Sequence, residues 1–147
     1  MLGSFHLLEY CKVRITQFEI ELPNGSVLYF IGLDDPEKVK SIVDIGDIWC
    51  EEATELNSED FDQLILRARA DVANRQVFVS FNPTSKANFV YKRWFEVEPP
   101  EDTLVLQSTY KDNTFLDKDY IDNLEHMINT NPTYYKIYVL GEFCSLD

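Results

Sequence analysis

Ile45-Gly46-Asp47-Ile48-Trp49-Cys50-Glu51-Glu52 sets a short apolar run of strand length directly before two adjacent acids. Downstream, Gln76-Val77-Phe78-Val79-Ser80-Phe81 is a second, nearly continuous apolar run, stopped by Asn82-Pro83. Continuous apolar strands suit a sheet covered on both faces. Between the two runs, Phe61, Leu64, Ile65 and Ala68 recur at i, i+3, i+4 and i+7, which predicts a helix over 58–70. Ser58 stands where an N-cap belongs, and Glu59 and Asp60 favour the positive end of the helix dipole. Beyond the second run, 88–96 reads as a helix and Thr103–Ser108 as a third strand. Residues 117–129 form a helix with Tyr120, Ile121, Leu124, Met127 and Ile128 on one face, and 132–140 a last helix closed by Gly141. Strands alternating with helices predict an α/β fold with a mostly parallel sheet and flanking helices.

Upstream, the pattern changes to an N-terminal β-hairpin. The runs Val13–Leu22 and Val27–Ile31 flank Pro23-Asn24-Gly25-Ser26, and Asn-Gly between apolar runs turns readily because both residues tolerate positive φ. This hairpin reads as an antiparallel addition at one side of the parallel sheet. Asp34–Lys40 reads as a short helix capped by Asp35, with Pro36 at its first position. No repeat or low-complexity linker interrupts the chain, so residues 1–147 are expected to form a single domain.

The composition excludes several classes. Thirteen basic against 26 acidic residues give a formal net charge of −13, a poor footprint for gripping a phosphate backbone with this chain alone. Hydrophobic residues at 45% and aromatics at 14% argue against disorder. No apolar run approaches the roughly 20 residues of a membrane helix, and the first residues lack the pattern of a signal peptide. Cys11, Cys50 and Cys144 are odd in number and outside any CxxC spacing, so they read as reduced thiols in a cytoplasm.

Three loops carry chemical potential. Glu51 and Glu52 end a strand, and ligands of open α/β sheets sit at the carboxyl ends of strands. One carboxylate can hold Mg²⁺ through water while the next orients an attacking water. On spacing alone, ordinary solvated acids are the better reading in so acidic a chain. Ser80-Phe81-Asn82 follows the second strand and offers a hydroxyl and an amide at the same edge, or is simply a strand ended by an Asn-Pro turn. Ser108-Thr109-Tyr110-Lys111-Asp112-Asn113 follows the third predicted strand in the same manner. Arg67, Arg69, Lys86, Lys92 and Arg93 are scattered and read as solubilising charges before arginine fingers or DNA contacts.

The order of the segments is more specific than any one of them. Leu22–Ser26, Gly32–Lys38, Trp49–Glu55, Phe81–Lys86, Ser108–Asn113 and Leu140–Phe143 follow one another much as in a phage large terminase subunit, and the PBSX-like branch is the one most resembled. The resemblance implies an incomplete P-loop NTPase core of the ASCE type, from an ATP-driven motor that packages DNA into proheads in the cytoplasm of a bacterial host. It implies that Glu51 is the Walker B acid supporting Mg²⁺ through water. Glu52 would be the catalytic glutamate, and Ser80, Phe81 and Asn82 the coupling motif. Mg²⁺ and ATP are implied for the complete motor, as are other terminase subunits, the portal protein and double-stranded DNA as partners.

One departure from the family pattern bears on activity. None of Gly3, Gly25, Gly32, Gly46 and Gly141 is followed by Lys, so no Walker A loop lies within these residues. The expectation is therefore a C-terminal portion of a terminase ATPase domain without the nuclease domain, inactive alone, as a truncated prophage product or an excised piece. If the Walker A strand is missing, strand 77–81 loses a neighbour. Strand 103–108 or a second copy would then close the gap, or the chain would be marginally stable. A stand-alone module that binds terminase or portal components is the competing reading. An unrelated hydrolase using both acids ranks last, because successive strand residues point to opposite faces.

Overall fold

The computed structural model describes residues 6–32 and 44–145. Two compact units divide the chain, Met1–Val43 and Asp44–Asp147. The helix expected over Asp34–Lys40 lies outside the described residues.

The N-terminal unit is a three-stranded antiparallel sheet of β1 (Lys12–Arg14), β2 (Glu19–Glu21) and β3 (Val27–Tyr29), in that order. The turn at Pro23–Ser26 forms where expected, with Gly25 at φ +86° and Ser26 N–H donating to Asn24 Oδ1 at 3.0 Å. The run 13–22 is not one strand. A 3₁₀ turn over Ile15–Gln17 and a left-handed Phe18 at φ +53° fold it back on itself. The register explains why. Lys12 faces Glu21 and Arg14 faces Glu19. Lys12 Nζ lies 2.6 Å from Glu21 Oε1, and Arg14 bonds both Glu19 and, at 2.7 Å, Glu21. Directly opposed charges of opposite sign stabilise an antiparallel pair. Hydrogen bonding from Lys12 holds the Glu21 carboxyl below its usual range, and Glu19 raises the Arg14 guanidinium. Val13, Ile20 and Leu28 line the other face in register. The hairpin thus belongs to a sheet of its own and does not extend the parallel one.

The C-terminal unit is α/β. β4 (Ile48–Cys50) pairs in parallel with β5 (Val77–Val79), Ile48 opposite Val77 and Cys50 opposite Val79. α1 (Ser58–Ile65) lies between them in sequence. Its cap is Asn57, not Ser58: Asn57 Oδ1 accepts from Asp60 N–H at 2.8 Å. It ends at Ile65 in a series of tight turns, so Arg67 and Arg69 stand outside it. α2 (Phe89–Trp94) is capped by Asn88 and packs on the 3₁₀ turn Ala53–Glu55. α3 (Lys118–Thr130) is capped by Asp117, and α4 (Pro132–Tyr134) continues as a π-helical turn over Tyr135–Val139 that packs on α3. Gly141, at φ +65°, closes this last element as expected. Cys50, Ala53, Phe61, Leu64, Ala70, Val90, Ile137 and Val139 are buried. Phe61 packs edge-on to Trp94 with centroids 5.4 Å apart, and the Arg93 guanidinium, paired with Asp62, covers its ring at 5.0 Å.

Two expectations fail here. Thr103–Ser108 forms no regular element and pairs with no strand among the described residues, and Leu104 and Leu106 are 80% and 81% exposed. A side chain fastens it to a distant segment: Gln107 Nε2 donates to the carbonyls of Leu140 and Gly141, each at 3.1 Å. Coverage of the parallel sheet on both faces is also not found. Trp49 and Phe78, opposite each other in register, are 72% and 51% exposed. Among the described residues, no helix is long and apolar enough to cross a membrane.

Candidate functional site

The corner where β4 and β5 end gathers both sequence-derived motifs. Beyond the ladder, Ser80 N–H donates to Cys50 C=O at 2.9 Å and Ala53 N–H donates to Ser80 C=O at 3.0 Å. These two bonds carry the parallel pairing past the last paired residues and bring 51–53 beside 80–82. Trp49 Nε1–H adds a bond to Ser80 Oγ at 3.1 Å.

Glu52 is then turned by its own backbone. It sits at φ +50°, ψ +46°, the left-handed region, as the residue before the turn Ala53–Glu55. For a residue with a Cβ this conformation costs roughly 1–2 kcal/mol. Its carboxylate meets Asn82, whose Nδ2 lies 3.3 Å from Oε1 and 3.4 Å from Oε2. Glu51 and Glu52 are both exposed. Of the sequence-derived candidates, Glu52, Ser80 and Asn82 therefore share one corner. Phe81 turns away, into rings of Phe95 and Phe143 at 6.1 and 6.2 Å. The loop 108–113 forms a separate capping box, Thr109 N–H donating to Asp112 Oδ2 at 2.7 Å. Arg93 is engaged with Asp62, and Lys86 lies over the Tyr91 ring at 5.4 Å. Beside the acids, burial raises the Cys50 thiol above its usual range, which keeps it protonated and poorly nucleophilic.

The described residues hold no group of three or more His, Cys, Asp or Glu placed to bind a metal ion. Two neighbouring carboxylates in water suit a hard cation only when other ligands come from elsewhere, as with Mg²⁺ bound mainly by waters and phosphates.

The family model for "Phage terminase large subunit" matches residues 1–142. This chain belongs to the phage terminase large subunit family. It is 30% identical over 143 residues to the PBSX phage terminase large subunit of Bacillus subtilis (strain 168), covering 85% of this chain and 33% of that protein. It is 33% identical over 154 residues to the terminase large subunit of Bacillus phage SPP1, covering 97% of this chain and 36% of that protein. The chain thus spans about a third of the length of these terminase relatives.

Three features of this terminase corner escaped sequence reasoning. The left-handed Glu52 carries no glycine or asparagine to announce it. The Trp49–Ser80 bond joins residues 31 apart in sequence. Phe143 closes the block Leu140–Phe143, with no periodicity to assign it a partner.

Proposed function

We propose that this chain supplies the hydrolytic corner of a terminase motor that uses ATP to package DNA in a bacterial cell, on a P-loop-type core. Glu52 is the catalytic glutamate: its carboxylate holds and aligns the attacking water and accepts its proton as a general base. The left-handed backbone of Glu52 turns that carboxylate toward the edge of the two strands, where the Asn82 amide donates to it. Glu51 is the outer acid that a Mg²⁺ would meet through water. When bound, Mg²⁺ neutralises charge on the triphosphate. Ser80, Phe81 and Asn82 form the coupling segment, since one stretch touches the acid, the strand β4 and the aromatic cluster. The observation that carries this reading is the amide of Asn82 set against both oxygens of Glu52 at the carboxyl ends of parallel strands. Family membership supports it.

No glycine in the sequence is followed by Lys, so these residues contain no Walker A cradle. A cradle supplies several charge-assisted hydrogen bonds, each worth about 1.5–3 kcal/mol. The chain alone is therefore expected to turn over Mg-ATP negligibly. Mixing it with a Walker A-bearing terminase segment should restore hydrolysis, and Glu52→Gln should abolish the restored activity. Restored turnover that Glu52→Gln leaves untouched would remove Glu52 from the chemistry, and robust turnover by the chain alone would overturn the reading of an incomplete motor.

A further inference from the structure

The contact between Asn82 and Glu52 is long and open to water, so it is too weak to hold either group in place. Something else sets the position of Asn82. Upstream, Ser80 is fixed by its backbone bonds to Cys50 and Ala53. Downstream, Pro83 is buried and its carbonyl accepts from Cys144 N–H at 3.3 Å. Between these points lies Phe81, whose ring meets Phe143. Phe143 is the hub of that cluster. Its centroid is 4.9 Å from Tyr91 and 4.9 Å from Phe95, edge-on to both, and 6.2 Å from Phe81.

Phe143 is itself held. Gln107 Nε2 bonds the carbonyls of Leu140 and Gly141, fastening the chain just before it. Gly141 fits this clamp closely: at φ +65°, a Cβ there would stand 3.3 Å from Gln107 Nε2. Clamp, turn, ring and the Cys144–Pro83 bond form one continuous strap from Gln107 to the corner.

We infer that Phe143 is a positioning residue for the Glu52–Asn82 pair, acting through Phe81, and that the strap Leu140–Cys144 is a handle on the candidate hydrolytic corner. Displacing the strap leaves Phe81 with Phe95 as its one remaining ring contact of the two and lets the Asn82 amide leave Glu52, while Ser80 stays on its ladder bonds. The catalytic consequence rests on the function proposed above; the positioning itself does not.

The test uses the whole chain, labelled with ¹⁵N, and two reporters: the Asn82 side-chain amide and the Trp49 indole N–H. Phe143→Ala should move the Asn82 amide to the position it takes in Glu52→Ala, with the Trp49 indole unmoved. Phe143→Tyr should restore it, and Gln107→Leu should shift it part of the way. An Asn82 amide that stays at its wild-type position in Phe143→Ala overturns the inference. So does a joint shift of both reporters, which marks general loosening. If Phe143→Ala does not fold, Phe143→Leu and Gln107→Leu carry the same two readouts and the same criteria. No nucleotide enters the experiment, so its failure leaves the hydrolytic reading standing, and a failed ATPase reconstitution leaves Phe143's role standing.

Discussion

Replacing Glu52 by glycine and, separately, by alanine isolates the backbone at the proposed catalytic glutamate. Both variants lose the carboxylate and its weak contact with Asn82, so those losses cancel in the comparison. What differs is the Cβ. At φ +50°, ψ +46°, alanine keeps a left-handed cost of roughly 1–2 kcal/mol that glycine escapes. Glycine loses about 0.5–1 kcal/mol more backbone entropy on folding. The balance favours Glu52→Gly over Glu52→Ala by up to about 1.5 kcal/mol, the reverse of the order expected in a regular strand or helix. Urea unfolding of each variant, followed by far-ultraviolet circular dichroism at constant m-value, measures the difference. Neither variant should support restored ATP hydrolysis. Should Glu52→Ala prove the more stable, residue 52 does not hold a left-handed conformation, and the geometry that brings its carboxylate to Asn82 is wrong.

Phe61 is 2% exposed and packed by Phe89, Trp94 and Arg93, so Phe61→Ala should cost about 3–5 kcal/mol in a denaturant titration, enough to unfold a marginal unit. Asn88 accepts from Val90 N–H at 3.0 Å and donates to Thr54 C=O at 2.8 Å; Asn88→Ala should cost about 1–2 kcal/mol in a denaturant titration. Because Lys12 lowers the Glu21 carboxyl in the folded state, its contribution to the N-terminal sheet is present above the unfolded carboxylate pKa and lost as pH falls through the folded one. Carboxyl-detected NMR should find the Glu21 midpoint moved upward by Lys12→Met. Cys50, buried and with its thiol shifted up, should be the last of the three cysteines to react with a thiol reagent at neutral pH.

What the sequence discloses here follows the range of the forces involved. α3 is local, and its apolar stripe predicts it within a residue. The turn at Asn24-Gly25 is local too. The parallel pairing of β4 with β5 was legible because two apolar runs separated by a helix have few other ways to pair. Thr103–Ser108 shows the limit. Its composition satisfies a strand, but pairing needs a partner edge, and no strand pairs with it among the described residues. The split at Ile15–Phe18 was hidden because the ladder that pairs 12–14 with 19–21 turns through Ile15–Phe18, where no Gly, Asn or Pro stands. At the corner, the residue types of Glu52, Ser80 and Asn82 were readable, while the contact of Phe81 with Phe143 joins segments far apart in sequence.

Strict alternation along a strand sends Glu51 and Glu52 to opposite faces, which would keep two adjacent acids from serving one reacting centre. The structure removes the premise. β4 ends at Cys50, and the left-handed backbone at Glu52 breaks the alternation one residue after Glu51. The side chain of residue 52 is thereby redirected toward the loop that leaves β5. That rotation gives the unfavourable conformation a physical role. A glycine would adopt it without strain but carry no carboxylate, and an extended glutamate would carry the carboxylate to the wrong side. Strained non-glycine residues of this kind persist where the surroundings over-determine them. Here the bonds Ser80 to Cys50 and Ala53 to Ser80 bracket Glu52 on both sides. The same two bonds fix the strand-end frame against which Asn82 and the Phe143 strap are set. Loss of that frame should therefore release Glu52 and Asn82 together, whereas loss of the strap should release Asn82 alone.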